Sequence, residues 1–86
     1  MKSLVLVTAS WCSACQPYKP VVQRVASELG LALQVLDCEE DLVQVAGLGV
    51  CSLPTLILYK NGEEVDRWSG AFSAVRLKAM VKAVNP

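Results

Sequence analysis

Apolar runs and amphipathic stretches alternate along this chain and divide it into short strands and helices. Leu4 to Thr8 is a continuous run rich in β-branched residues. Such a run reads as a central parallel strand buried on both faces. From Ser13 to about Leu29, Tyr18 is followed by Val21, Val22, Val25 and Leu29 at offsets of 3, 4, 7 and 11, which is one face of a helix. Gly30 is its expected stop. Pro17 falls in the first turn, where a missing N–H matters little, and Pro20 lies deeper and is expected to kink the axis. Leu31 to Asp37 is mostly apolar and reads as a second buried strand, parallel to the first through a right-handed crossover.

Glu39 to Ala46 has the spacing of a short helix, with acidic residues at its start and Gly47-Leu48-Gly49 at its end. Ser52-Leu53-Pro54-Thr55 leads into a third strand, Leu56 to Tyr59. Lys60-Asn61-Gly62-Glu63 carries the Asn-Gly hairpin signal. Glu64 to Ser69 is the more polar returning strand and fits a sheet edge. Gly70-Ala71 breaks it. Ser73 is placed to cap a last helix with Leu77, Met80, Val81 and Val84 inward, Lys78 and Lys82 near its end, and Asn85-Pro86 as its stop. The order is β-α-β-α-β-β-α, an α/β arrangement expected to form a single domain over residues 1–86.

Composition narrows the function. Hydrophobic residues make up 53% of the 86 positions, and mean hydropathy is +0.42. Eight basic residues balance eight acidic ones, so no basic surplus exists to draw nucleic acid or anionic lipid. Histidine is absent, which removes the commonest general base and zinc ligand. The apolar run after Met1-Lys2-Ser3 is too short for a secretory signal, and no segment is long enough to span a membrane. The expected location is the cytoplasm, where a Cys-x-x-Cys is catalytic or metal-binding more often than a static crosslink.

That motif is Trp11-Cys12-Ser13-Ala14-Cys15. It lies between the first strand and the first helix, with Cys12 expected where the helix begins. Unsatisfied N–H groups and the helix dipole favour a thiolate there. Cys15 follows about one turn later, within disulfide reach. Cys38 and Cys51 have several readings: free thiols packed as small hydrophobes, a second disulfide, a regulatory thiol at Cys51, or metal ligands. A four-cysteine zinc site normally uses two close pairs, which these two do not form, so no metal is expected. Trp68 and Tyr18 read as packing residues, and Trp11, adjoining Cys12, as a substrate contact.

These features resemble the thioredoxin family along almost the whole chain. The resemblance rests on Trp11-Cys12-x-x-Cys15, on Pro20 five residues past the second cysteine, on Pro54-Thr55 before an apolar strand, on Lys60-Asn61-Gly62-Glu63, and on Gly70-Ala71. It implies a minimal thioredoxin fold, a four-stranded mixed sheet flanked by helices, lacking the usual N-terminal strand and helix. It also implies a cis bond before Pro54, which would bring Leu53 beside the cysteines as a backbone partner for an extended substrate, with Gly70-Ala71 as the other wall. The implied chemistry is protein-disulfide reduction. Cys12 attacks, Cys15 resolves, and the Cys12–Cys15 disulfide is the redox centre, with no further cofactor. Expected partners are protein disulfides and a disulfide reductase as electron donor, with the chain a monomer.

The chain also departs from the family's pattern. Ser13-Ala14 stands where Gly-Pro is usual, which should retune the redox balance. Leu6 replaces the family's buried aspartate, Val35 its lysine partner, and Gln16 the basic residue after the second cysteine. The aspartate helps the second cysteine lose its proton; Glu39 or Asp37, acting through water, is the candidate substitute here. Three other readings are a thiol oxidant or isomerase, a binding subunit of a larger complex, and an iron–sulfur protein using Cys12 at a dimer interface.

Overall fold

The computed structural model describes residues 1–84. It contains strands β1 (Lys2–Thr8), β2 (Ala32–Asp37), β3 (Thr55–Lys60) and β4 (Glu63–Ser69), and helices α1 (Cys15–Leu29), α2 (Leu42–Leu48) and α3 (Ala74–Ala83). The element order is the one expected from the sequence pattern. The sheet is four-stranded in the order β2-β1-β3-β4. β1 is parallel to β2 and antiparallel to β3, and β3 is antiparallel to β4 with an irregularity at Leu58/Tyr59.

β1 supplies both faces of the core, because successive side chains of a strand point to opposite sides. Leu4 and Leu6 join Leu56 and Leu58 of β3 beneath Tyr18, Val22, Val25 and Ala26 of α1 and Leu77 and Val81 of α3. Val7 joins Leu36 of β2 and Val45 of α2 on the opposite face, with Val5, Leu48 and Leu53 packed alongside. The sheet is thus covered by α1 and α3 on one side and α2 on the other. Tyr18 is part of the first cluster as expected, but its buried hydroxyl has no partner, and burial pushes its pKa up to about 12.

Local signals work where they are self-contained. Asn61 (φ 53°) and Gly62 (φ 85°) are both left-handed, as a type I′ hairpin requires. The Ser73 hydroxyl accepts from the Arg76 N–H at 3.2 Å and caps α3. Gly30 (φ 68°) ends α1, which runs through Pro20. The expected stop at Asn85-Pro86 lies outside the described residues.

Three expectations are corrected. β2 is an edge strand, not a buried one: Ala32 and Gln34 are exposed and only Leu36 is fully buried. With four strands in this order, nothing among the described residues pairs with its outer side. α1 begins at Cys15, not Ser13. α2 begins at Leu42 and has no acidic residue in its first turn. Asp37 is the reason for this last shift. Its Oδ1 accepts from the N–H groups of Glu39 (2.8 Å) and Glu40 (3.2 Å), while Asp41 Oδ2 accepts from the Asp37 N–H (2.9 Å). This side-chain-built turn competes with helix and keeps Glu39 and Glu40 outside it. The helix then continues through Gly47 and ends at Gly49 (φ 65°).

Candidate active site

β1 delivers the chain from the sheet centre into two tight turns. The Cys12 N–H donates to the Ala9 carbonyl (3.1 Å), and the Cys15 N–H to the Cys12 carbonyl (3.2 Å). These turns place Cys12 ahead of α1 rather than at its first residue; the i→i+3 bond closes the loop before helical bonding begins. Cys12 and Cys15 are joined as a disulfide with their Cα atoms 5.3 Å apart. The two sulfurs differ in access. Cys12 is half-buried, whereas Cys15 is fully buried against the sheet. Trp11 stands 66% exposed beside Cys12, and Ser13 and Ala14 are exposed between the cysteines.

In front of the pair lies a cleft of about 380 Å³ lined by Trp11, Cys12, Cys38, Val50, Cys51 and Leu53, with Ser52 between the last two. Leu53–Pro54 is a cis peptide bond, as the resemblance implies. The loop is held by the Thr55 hydroxyl, which donates to the Ser52 carbonyl at 2.6 Å. Pro54 is buried, and its carbonyl accepts from the Gly70 N–H at 2.9 Å. Gly70 adopts φ 100°, a conformation that a side chain would strain. Gly70 therefore reaches the site through Pro54; neither it nor Ala71 lines the cleft.

Behind the pair lies a second, smaller cavity of about 210 Å³, lined by Thr8, Ala9, Ser10, Cys15, Gln16, Lys19 and Asp37. The Gln16 amide donates to the Ser10 carbonyl at 3.3 Å and closes one side. The Asp37 carboxyl is held below its ordinary value, first by the N–H groups of Glu39 and Glu40, then by that of Ser10 and by the charge of Lys19. Leu6 and Val35, at the positions of the family's acid and base, are register neighbours on β1 and β2, and both pack in the apolar cluster.

The remaining cysteines are free. Cys38 is half-buried, and its thiol is pushed up by burial and then by the charges of Asp37 and Glu39. Cys51 is exposed, with its sulfur 3.7 Å from the Gly49 carbonyl. Among the described residues, no group of three or more His, Cys, Asp or Glu side chains comes together as a metal-ligand set, and no helix is long and apolar enough to cross a membrane.

The structure thus brings Trp11, Cys12 and Leu53 around one cleft and links Pro54 to Gly70. Sequence reasoning missed Val50 and Cys38 in the front wall and Lys19 in the back cavity. Lys19 had a readable signal: it follows Cys15 by four residues, one helical turn on the same face.

The family model for thioredoxin matches residues 1–83. A thioredoxin-like protein of Synechocystis is 36% identical over 76 residues, covering 86% of this chain and 72% of that protein. The thioredoxin of Chlamydia muridarum is 41% identical over 70 residues, covering 78% of this chain and 69% of its own length. Among solved structures, a mutant thioredoxin from Halobacterium salinarum superposes with a TM-score of 0.89 at 29% identity, covering 99% of this chain and 75% of that one.

Proposed function

The chain belongs to the thioredoxin family, and from that premise we propose that it reduces protein disulfides by a dithiol mechanism. The family and the paired cysteines support thiol-disulfide oxidoreductase activity. The finer reading rests on one observation: the two linked sulfurs have opposite access, Cys12 facing a cleft and Cys15 fully buried.

In the reduced protein the Cys12 thiolate attacks a substrate disulfide, and one substrate sulfur leaves. Cys15 then attacks Cys12 in the mixed disulfide, restoring the Cys12–Cys15 bond and releasing the second substrate thiol. Trp11 offers a flat apolar contact. The backbone of Leu53 pairs with an extended substrate segment, with Pro54, bonded to the Gly70 N–H, holding that side of the site. Ser13 and Ala14 tune the balance of the two redox forms, for a potential between the roughly −270 mV of thioredoxin and the roughly −180 mV of protein disulfide isomerase. The working unit is one domain acting as a monomer in the cytoplasm, re-reduced by a disulfide reductase, with no metal or added cofactor.

Insulin-disulfide reduction by wild type, Cys12→Ser and Cys15→Ser is the direct test. Wild type turns over, Cys12→Ser does not, and Cys15→Ser accumulates a substrate-linked adduct on Cys12, read by intact mass. An inactive wild type refutes the reductase reading; an absent adduct refutes the order of attack.

A further inference from the structure

Resolution needs Cys15 as a thiolate, and its place in the structure opposes that. Its side chain is completely buried, and burial disfavours the charged form of a thiol. Leu6 and Val35 supply no charge, and the chain has no histidine. Cys15 lines a polar space, the rear cavity. Three elements bring charge-bearing or neutral groups to it. α1 contributes Cys15, Gln16 and Lys19; the end of β2 contributes Asp37; and the segment following β1 contributes Ser10, with no ionisable group. Beyond the cavity, Glu39 and Glu40 surround Asp37 through their N–H groups, and Asp41 accepts from its backbone.

We propose that Lys19 is the positioning residue for Cys15, its ammonium stabilising the buried thiolate across the rear cavity, with Asp37 as the opposing charge. This rests on the dithiol reading above. Lys19 and Asp37 line the same cavity without a direct ion pair between them, which leaves room for water between the charges. The Cys15 proton passes to that water and on to solvent. The thiolate then attacks Cys12 Sγ, the bond between Cys12 and the substrate sulfur breaks with its electron pair leaving on the substrate sulfur, and that sulfur takes a proton from solvent. Asp37 is a poor acceptor for the Cys15 proton near neutral pH, because two N–H groups and Lys19 already favour its ionised form. Its own charge opposes the thiolate.

The two charges therefore act with opposite sign, and substitution separates them. An aromatic disulfide whose released thiolate is coloured reports two phases in a Cys38→Ser, Cys51→Ser background: the first from Cys12 attack, the second from Cys15 resolution. In Lys19→Gln the second phase slows about threefold to tenfold at pH 7, its rate–pH midpoint moving up by about half to one unit. Lys19→Arg keeps the wild-type midpoint. Asp37→Asn, whose Oδ1 still accepts from Glu39 and Glu40, moves the midpoint down. A Lys19→Gln profile that superposes on wild type overturns the proposal, as does an Asp37→Asn midpoint that moves up, which would make Asp37 the proton acceptor. Loss of the first phase in the parent protein would instead overturn the dithiol reading.

Discussion

Cys12 and Cys15 are three residues apart and bonded to each other, yet the spaces on their two sides have little in common. The front cleft is lined by Trp11, Val50, Leu53 and thiols, and opens to solvent beside a half-exposed sulfur. The rear cavity is smaller, bears a lysine and an aspartate, and meets a sulfur with no solvent exposure. On the proposed reading, an apolar front wall suits recognition of a polypeptide by shape and backbone pairing. A charged rear wall can act on the protonation of a fully buried sulfur. The difference teaches that, on the dithiol reading proposed above, attack and resolution would be controlled by residues from different segments, although the two cysteines share one turn.

The strongest way to break this division is to force a charge to the rear through the core. Leu6→Asp places a carboxylate at the family's acidic position, but here it enters an apolar cluster with Val35 where a lysine would be. We expect a loss of about 3 kcal/mol or more of stability, read as a lower urea midpoint. An unchanged midpoint would mean that the rear of the sheet tolerates charge in either place. On the front, Trp11→Ala should raise KM for a protein disulfide about tenfold and leave the rate with a small aromatic disulfide nearly unchanged. Equal losses on both substrates would make Trp11 a support for the turn instead of a wall of the cleft. The smallest effect concerns the rear carboxylate. Its folded-state pKa is lowered, so its stabilisation is present above the unfolded value of about 3.9 and is lost as pH falls through the folded value. Asp37→Asn should therefore flatten the fall in the urea midpoint below about pH 4, and parallel curves for the two proteins would discount the turn's charge.

Much of the fold was legible because its signals are local. The apolar run of β1, the Asn61-Gly62 turn and the Ser73 cap each specify their element within a few residues. The place of β2 was not, since Leu31 to Asp37 is apolar enough for a centre, and only the sheet order makes it an edge. The start of α2 was obscured by a side chain, Asp37, bonding to backbone that a helix would otherwise use. At the site, Cys12, Cys15 and Leu53 were legible from motifs. Asp37 was legible as a candidate near Cys15, but the rear cavity as a whole was not, because Thr8 and Lys19 come from two other elements and alone read as a strand end and a polar helix position.

β1 also governs the order in which the molecule can be assembled. Its antiparallel partner is β3, so Lys2 pairs with Lys60 and Val7 with Thr55, contacts that join distant parts of the chain. Long-range pairing of this kind is slow to form. A nascent chain that has emerged only as far as α2 carries both cysteines of the pair but has neither the Leu53 wall nor the strand that closes the centre of the sheet. The thiols are made early and their surroundings late, so the cleft beside Cys12 is complete only once Leu53 and β3 have followed α2.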